Sequence, residues 1–336
     1  MIAPIQPLVP PAAFGERKFG WTDYRSGKNP VNSVFPAKEL VMRAAGVDAG
    51  SAARVIDAPG RGRLVVWDTP GSIGAPTLVL LHGVTLDAEL SWSAAIPALA
   101  AHFRVLTLDL RGHGNGPPAR VPYRLEECAD DVAAVVRALD TGPVIAVGYS
   151  MGGMIAQAFW RRHRELTAGL VLCASARNVS GSPLEQLTAM MMPFVVGGLT
   201  WVPSVFPLTA DLVGSRLLGD GLDPEVRRRA MVHMRRTSLV TALAAMQAVC
   251  DFSSHRWIGD VDVPSAVLVT QHDRIVPPSR QWRLARGLPR AVVVEVDGDH
   301  DVFLEAPGLF VRALVRACLA VVTSDDGSRG GTERAS

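Results

Sequence analysis

The residue with the clearest chemical use is a serine held between glycines, in the run Gly148-Tyr149-Ser150-Met151-Gly152. A serine hydroxyl is a poor nucleophile near neutral pH. It attacks a carbonyl carbon when a base takes its proton and an acid orients that base. Of the eight histidines, His300 stands out, because it follows the apolar run 292–296 in the turn Asp297-Gly298-Asp299-His300. Asp273 likewise follows the apolar run 266–271. Strand ends are where reactive groups gather on parallel sheets, and serine, acid, histidine is a known chain order for such a set. Alone, Asp273 would pass for an Asx-turn or cap before Pro277, and His300 for a solvated turn residue. Together, in this order, the three point to one site. Asp299 and Asp301 are set aside as the acid because a neighbour within one tight turn reaches the imidazole Nδ1 poorly. A tetrahedral intermediate also needs N–H donors for its oxyanion. We assign these to the backbone of Met151, next to the serine, and of Val84, in the loop His82-Gly83-Val84. His82 is read as pinning that loop through its side chain.

These groups need elements to hold them. The run 143–147 before the serine is apolar and partly β-branched, as a buried strand is, and 151–164 after it reads as a helix without proline. Strand, tight turn and helix put Ser150 at a helix N-terminus, where free N–H groups stabilise an anion. Further strand-like runs lie at 54–57, 64–68, 77–82, 104–109, 144–149, 170–173, 266–271 and 292–296, with helical stretches such as 125–139 and 307–322 between them. Alternating strands and helices predict a mostly parallel sheet covered on both faces. The short turn Pro59-Gly60-Arg61-Gly62 makes the first two strands an antiparallel hairpin at one edge. Between Cys173 and Ala266 no strand is legible, and the segment reads as helices inserted over the sheet. Residues 1–50 are then an N-terminal arm with a short helix near 36–46, 51–178 and 256–322 the core, 179–255 a helical cap, and 323–336 a polar, disordered tail. The cap holds Met190, Phe194 and Trp201, which are expected to contact an apolar substrate. At least half of the cap's apolar residues are accounted for by packing on the core. Its basic runs, Arg227-Arg228-Arg229 and Arg235-Arg236, could meet an anionic head group, but read first as the solvated face of a helix whose apolar side carries Ala230, Met231 and Met234.

Composition narrows the function classes. With 336 residues, 48% hydrophobic and 20% charged, the chain has material for a sizeable core, and a net charge of +2 selects no partner. No basic patch interleaved with aromatics appears, which argues against nucleic acid. The cysteines Cys128, Cys173, Cys250 and Cys318 are scattered and form no C-x-x-C pair, which suits a reducing compartment and a cytoplasmic protein. No basic residue precedes Arg17 and prolines interrupt the apolar start, so no signal peptide is expected; nor is a transmembrane helix. Nucleotide-binding glycine motifs and the H-E-x-x-H zinc motif are missing, so neither a cofactor nor a metal is expected.

The sequence resembles the α/β-hydrolase fold superfamily, in its branch of serine esterases, lipases and perhydrolases with a helical cap. The resemblance rests on Leu81-His82-Gly83, Asp109-Leu110-Arg111-Gly112-His113-Gly114, Gly148-Tyr149-Ser150-Met151-Gly152-Gly153, Asp273-Arg274-Ile275-Val276-Pro277, and His300 with Glu305 and Pro307. It implies an eight-stranded sheet and carries the family's nucleophile, acid and base onto Ser150, Asp273 and His300. Members usually have glycine three residues before the acid, whereas this chain has Thr270. Family dehalogenases and epoxide hydrolases use aspartate at the elbow, so serine there implies an acyl-enzyme or acid–base chemistry. The leading expectation is a hydrolase cleaving a small hydrophobic carboxylic ester through an acyl-enzyme on Ser150. Acyl transfer, or C–C bond hydrolysis by the same triad, is the alternative. A non-catalytic ligand-binding member would not need Asp273 and His300 together.

Overall fold

A computed structural model describes residues 51–179, 218–219 and 221–329. The arm 1–50 with its expected short helix, and the expected substrate contacts Met190, Phe194 and Trp201, lie outside the described residues. In chain order the elements are β1 (Ala52–Ala58), β2 (Gly62–Thr69), β3 (Thr77–Leu81), α1 (Ala88–Trp92), α2 (Ile96–Ala100), β4 (Arg104–Leu108), α3 (Leu125–Ala138), β5 (Val144–Tyr149), α4 (Met151–Arg162) and β6 (Thr167–Cys173). They continue with α5 (Pro224–Met234), α6 (Leu239–Asp251), β7 (Ser265–Thr270), α7 (Pro278–Gly287), β8 (Ala291–Val296), α8 (Val302–Glu305) and α9 (Pro307–Arg329).

The strands form one sheet of eight, in the order β1-β2-β4-β3-β5-β6-β7-β8. β1 and β2 make the antiparallel hairpin expected from the turn at residues 59–62, and β2 also runs antiparallel to β4. The remaining pairs are parallel. The central strands β3, β5 and β7 are buried along their whole length, as strands covered on both faces must be. Because successive side chains alternate across a strand, Val79 and Leu81 enter one core and Leu78 and Leu80 the other. The first core lies under α3 and α4, with Cys128, Val132, Ile155 and Phe159; the second lies under α1, α2 and α9, with Trp92, Leu99, Phe310 and Leu314. Each fully buried leucine or phenylalanine contributes roughly 1.5–3 kcal/mol.

One expectation needs correcting. The tail 323–336 was predicted disordered, but α9 runs past residue 322 to Arg329. No proline interrupts it, and a helix anchored by packed turns extends at one hydrogen bond per residue. Residues 330–336 lie outside the described residues. The segment 179–255 contains α5 and α6. Its two ends meet: Ser254 N–H donates to the Arg177 carbonyl (2.8 Å), and Asn178 bridges Ser253. Buried Gln157 of α4 fastens this neck, donating to the carbonyls of Gly153 and Ala176 (both 3.1 Å) and accepting from Ser254 Oγ (2.6 Å). Among the described residues no helix is long and apolar enough to cross a membrane.

Candidate active site

β5 ends at Tyr149 and α4 begins at Met151, so Ser150 alone makes the turn between them. Its backbone has φ 54° and ψ −116°, a conformation that costs a non-glycine residue on the order of 1–3 kcal/mol. Tertiary hydrogen bonds hold it there: Ser150 N–H donates to the Cys173 carbonyl (2.9 Å), and Ser175 Oγ donates to the Ser150 carbonyl (2.8 Å). The flanking glycines are sterically required. A Cβ on Gly148 would strike the Gly152 carbonyl, and one on Gly152 would strike the carbonyl of Leu81 in β3.

His300 and Asp273 converge on this turn from the ends of β8 and β7. Ser150 Oγ lies 3.0 Å from His300 Nε2, and His300 Nδ1 lies 2.8 Å from Asp273 Oδ2. A carboxylate only accepts, so Nδ1 carries the proton, and Nε2 of the neutral ring is free to accept from the serine. Asp273 is buried, and the sequence's Asx-turn reading is also correct: Oδ1 accepts from the amides of Ile275 (2.9 Å) and Val276 (2.7 Å). The neighbouring acids are engaged elsewhere. Asp299 Oδ1 accepts from the amides of Arg274 and His300, and Asp301 Oδ2 accepts from Gly219 N–H (2.7 Å). Burial alone would raise the Asp299 carboxyl, but those two amides and the Arg274 guanidinium hold it below the ordinary carboxylate value. Tyr149 Oη donates to the His300 carbonyl (2.6 Å), tying the residue before the serine to the histidine loop.

The loop after β3 closes the other side. A Cβ built on Gly83 would sit 3.4 Å from Ser150 Cβ, so glycine lets the loop approach the serine closely. His82 fixes this loop as expected: Nδ1 donates to the Gly83 carbonyl (2.8 Å), and Nε2 accepts from Leu110 N–H (2.9 Å). Burial pushes the His82 imidazole down to about 4 and that of the neighbouring His113 to about 3. Farther along, Asp87 caps α1 through Leu90 N–H (2.8 Å) and accepts from His233 Nδ1 of α5 (2.6 Å). Burial alone would raise the Asp87 carboxyl, but the bonds from His233 and Leu90 hold it below its ordinary value. Val84 lines the space beside Ser150, and Met151 opens α4, where the first N–H groups have no acceptor within the helix.

Ser150 and His300 open onto a cavity of about 490 Å³. Its walls are mostly apolar: Met154 of α4, Met246, Val249 and Cys250 of α6, and Ile275 and Val276 of the loop before α7. Sequence reasoning assigned the apolar contacts to residues 190–201 and passed over α6. The available signal was the spacing of Met246, Val249 and Cys250, which puts all three on one helical face. Among the described residues no group of three or more histidine, cysteine, aspartate or glutamate side chains is placed to hold a metal ion.

Comparison with known proteins identifies relatives of the same fold. A family model described as alpha/beta hydrolase fold matches residues 76–307. RutD of Agrobacterium fabrum, provisionally named a carbamate hydrolase, is 28% identical over 254 residues, 73% of this chain and 94% of that protein. The pimeloyl-[acyl-carrier protein] methyl ester esterase of Sodalis glossinidius is 42% identical over 110 residues, 33% of this chain and 40% of that protein. A thermophilic esterase from Thermogutta terrifontis superposes with a TM-score of 0.67 at 26% identity, covering 81% of this chain and 99% of that one.

Proposed function

The chain belongs to the α/β-hydrolase fold family, and on that footing we propose that it is a serine hydrolase of carboxylic esters with an apolar acyl part. The observation that carries this reading is the hydrogen-bonded line from Ser150 Oγ through His300 to Asp273, at 3.0 and 2.8 Å, on the wall of an apolar cavity. His300 Nε2 takes the hydroxyl proton as Ser150 Oγ attacks the ester carbonyl carbon. Asp273 accepts from Nδ1 and stabilises the imidazolium. The oxyanion of the tetrahedral intermediate is held by the N–H groups of Met151 and Val84. Collapse breaks the bond to the alcohol oxygen, which takes its proton from His300 and leaves an acyl group on Ser150. His300 then deprotonates a water, which attacks the acyl carbon; the second collapse returns the proton to Ser150. The named activities of the esterases reported above support an ester substrate, and the cavity walls support an apolar acyl group. The four scattered cysteines, with no C-x-x-C pair among them, are consistent with work in the cytoplasm.

The test pairs a fluorophosphonate probe with p-nitrophenyl esters of increasing chain length. We expect the wild type to label and turn over, and Ser150→Ala to lose labelling and several orders of magnitude in rate while keeping its fold. An alanine variant that still labels at another serine and retains most activity would overturn the assignment.

A further inference from the structure

Behind Asp273 lies a second buried polar layer that the proposed mechanism leaves unused. Thr270, the last residue of β7, and Gln281, in α7, are both fully buried. Gln281 Oε1 accepts from Thr270 N–H (3.0 Å), which fixes the orientation of the amide and leaves Nε2 as the donor end. Nε2 lies 2.7 Å from Thr270 Oγ1, 2.7 Å from the Val276 carbonyl and 3.1 Å from Asp273 Oδ2. Thr270 Oγ1, accepting from Gln281, turns its own proton onto Asp273 Oδ2 at 2.7 Å. The oxygen that faces His300 is therefore shared with the Thr270 hydroxyl at a comparable distance.

We infer that Thr270 and Gln281 are positioning residues that act through Asp273, holding Oδ2 toward His300 and weakening it as an acceptor for the imidazolium. The inference rests on the triad reading above. A glycine three residues before the acid, as the family usually has, offers no hydroxyl, so the arrangement belongs to this chain's own sequence. The physical effect has a definite sign. Each donor on a carboxylate oxygen stabilises its charge and lowers its basicity, so a proton on His300 is held less strongly than by an unshared carboxylate. The burial of Asp273 is offset by donors that do not depend on His300.

The experiment compares Thr270→Val, nearly the same shape without the hydroxyl, with Thr270→Ser, which keeps it. With a p-nitrophenyl ester, Thr270→Val should move the acid limb of the kcat/KM profile up by about half a pH unit, with a roughly threefold loss below the limb. KM should hold within about twofold of wild type, the loss falling on kcat. Thr270→Ser should keep the wild-type profile. Gln281→Met should move the limb in the same direction, because the Thr270 hydroxyl is then no longer directed. A second readout needs no substrate: the low-field proton resonance of the hydrogen between His300 Nδ1 and Asp273 Oδ2 should move farther downfield in Thr270→Val. If that resonance moves but Ser150→Ala leaves ester turnover intact, the hydrolase reading falls and the Thr270 role stands. A folded Thr270→Val with unchanged resonance and profile would overturn the inference, as would Thr270→Ser impaired as much as the valine variant.

Discussion

At His82 and His113 burial opposes a charge and outweighs the Gly83 and Arg111 carbonyls, whose hydrogen bonds favour one. His82 Nε2 already accepts from the Leu110 amide, so a proton there would face another donor. Folded-state values of about 4 and about 3 lie below the ordinary 6.5, so the unfolded chain binds protons that the folded chain refuses. The stability these residues allow is complete above about pH 6.5 and is lost as pH falls toward 4 for His82 and toward 3 for His113, on the order of a few kcal/mol each. Calorimetry from pH 7.5 to 4 should show a falling Tm whose slope is reduced in His113→Gln; an equal slope would assign the acid sensitivity elsewhere. Of the three aspartates near His300, only Asp273 is in hydrogen-bond contact with the ring. Asp273→Asn should lower kcat/KM by about 10²–10⁴. Asp299→Asn, which weakens a loop contact to Arg274, should cost less than tenfold; kinetics giving the reverse ranking would displace Asp273. The three residues of the line were legible because each follows an apolar strand run. The assistance of Thr270 and Gln281 was not: a threonine at a strand end and a glutamine in a helix are commonplace, and their meeting depends on how α7 packs against β7.

Among the elements, α6 has the most to say about substrate. Met246, Val249 and Cys250 give it a cavity-facing side, while Ala244 and Ala245 join the core. On the proposed ester-hydrolase reading, a helix so placed would measure acyl length, since each buried CH₂ is worth about 0.8 kcal/mol, or roughly fourfold in kcat/KM. For p-nitrophenyl esters from C2 to C12, kcat/KM should climb with each carbon until the cavity fills, and Val249→Trp should bring that limit to a shorter chain. A flat profile that Val249→Trp leaves unchanged would mean α6 packs without contacting substrate. The strands were readable as elements because β3, β5 and β7 are continuous apolar runs, and α3 because its apolar positions recur at helical spacing. The facing of α6 was hidden because a helix apolar on more than one side does not declare which side meets the core. α1 and α2 were missed for a different reason: at five residues each they are too short to carry a periodic signal.

For the molecule as a whole, the sheet order separates the chemistry in space and along the chain. Ser150 stands after β5 in the middle of the sheet, and His300 after the edge strand β8, with β6 and β7 between. The class of architecture was legible from alternation alone, and the edge hairpin from its turn. The extent of α9 was not, because helix propagation from a packed segment overrides a polar local sequence. The bond from Tyr149 to the His300 carbonyl joins residues 151 positions apart, and the one from Ser150 to His300 spans 150. Contacts so distant are slow to form, because chain entropy must be lost before they contribute. The strained serine turn, by contrast, is built largely from neighbouring elements. During refolding from denaturant the protein should therefore pass through a stage with recovered secondary structure and an assembled elbow but no general base. Pulses of fluorophosphonate during refolding should show reactivity returning after the far-ultraviolet circular dichroism signal; simultaneous recovery would mean that the two halves of the sheet condense in one step. Covalent reactivity in this fold is then a clock for the docking of its last strand, readable at a single hydroxyl.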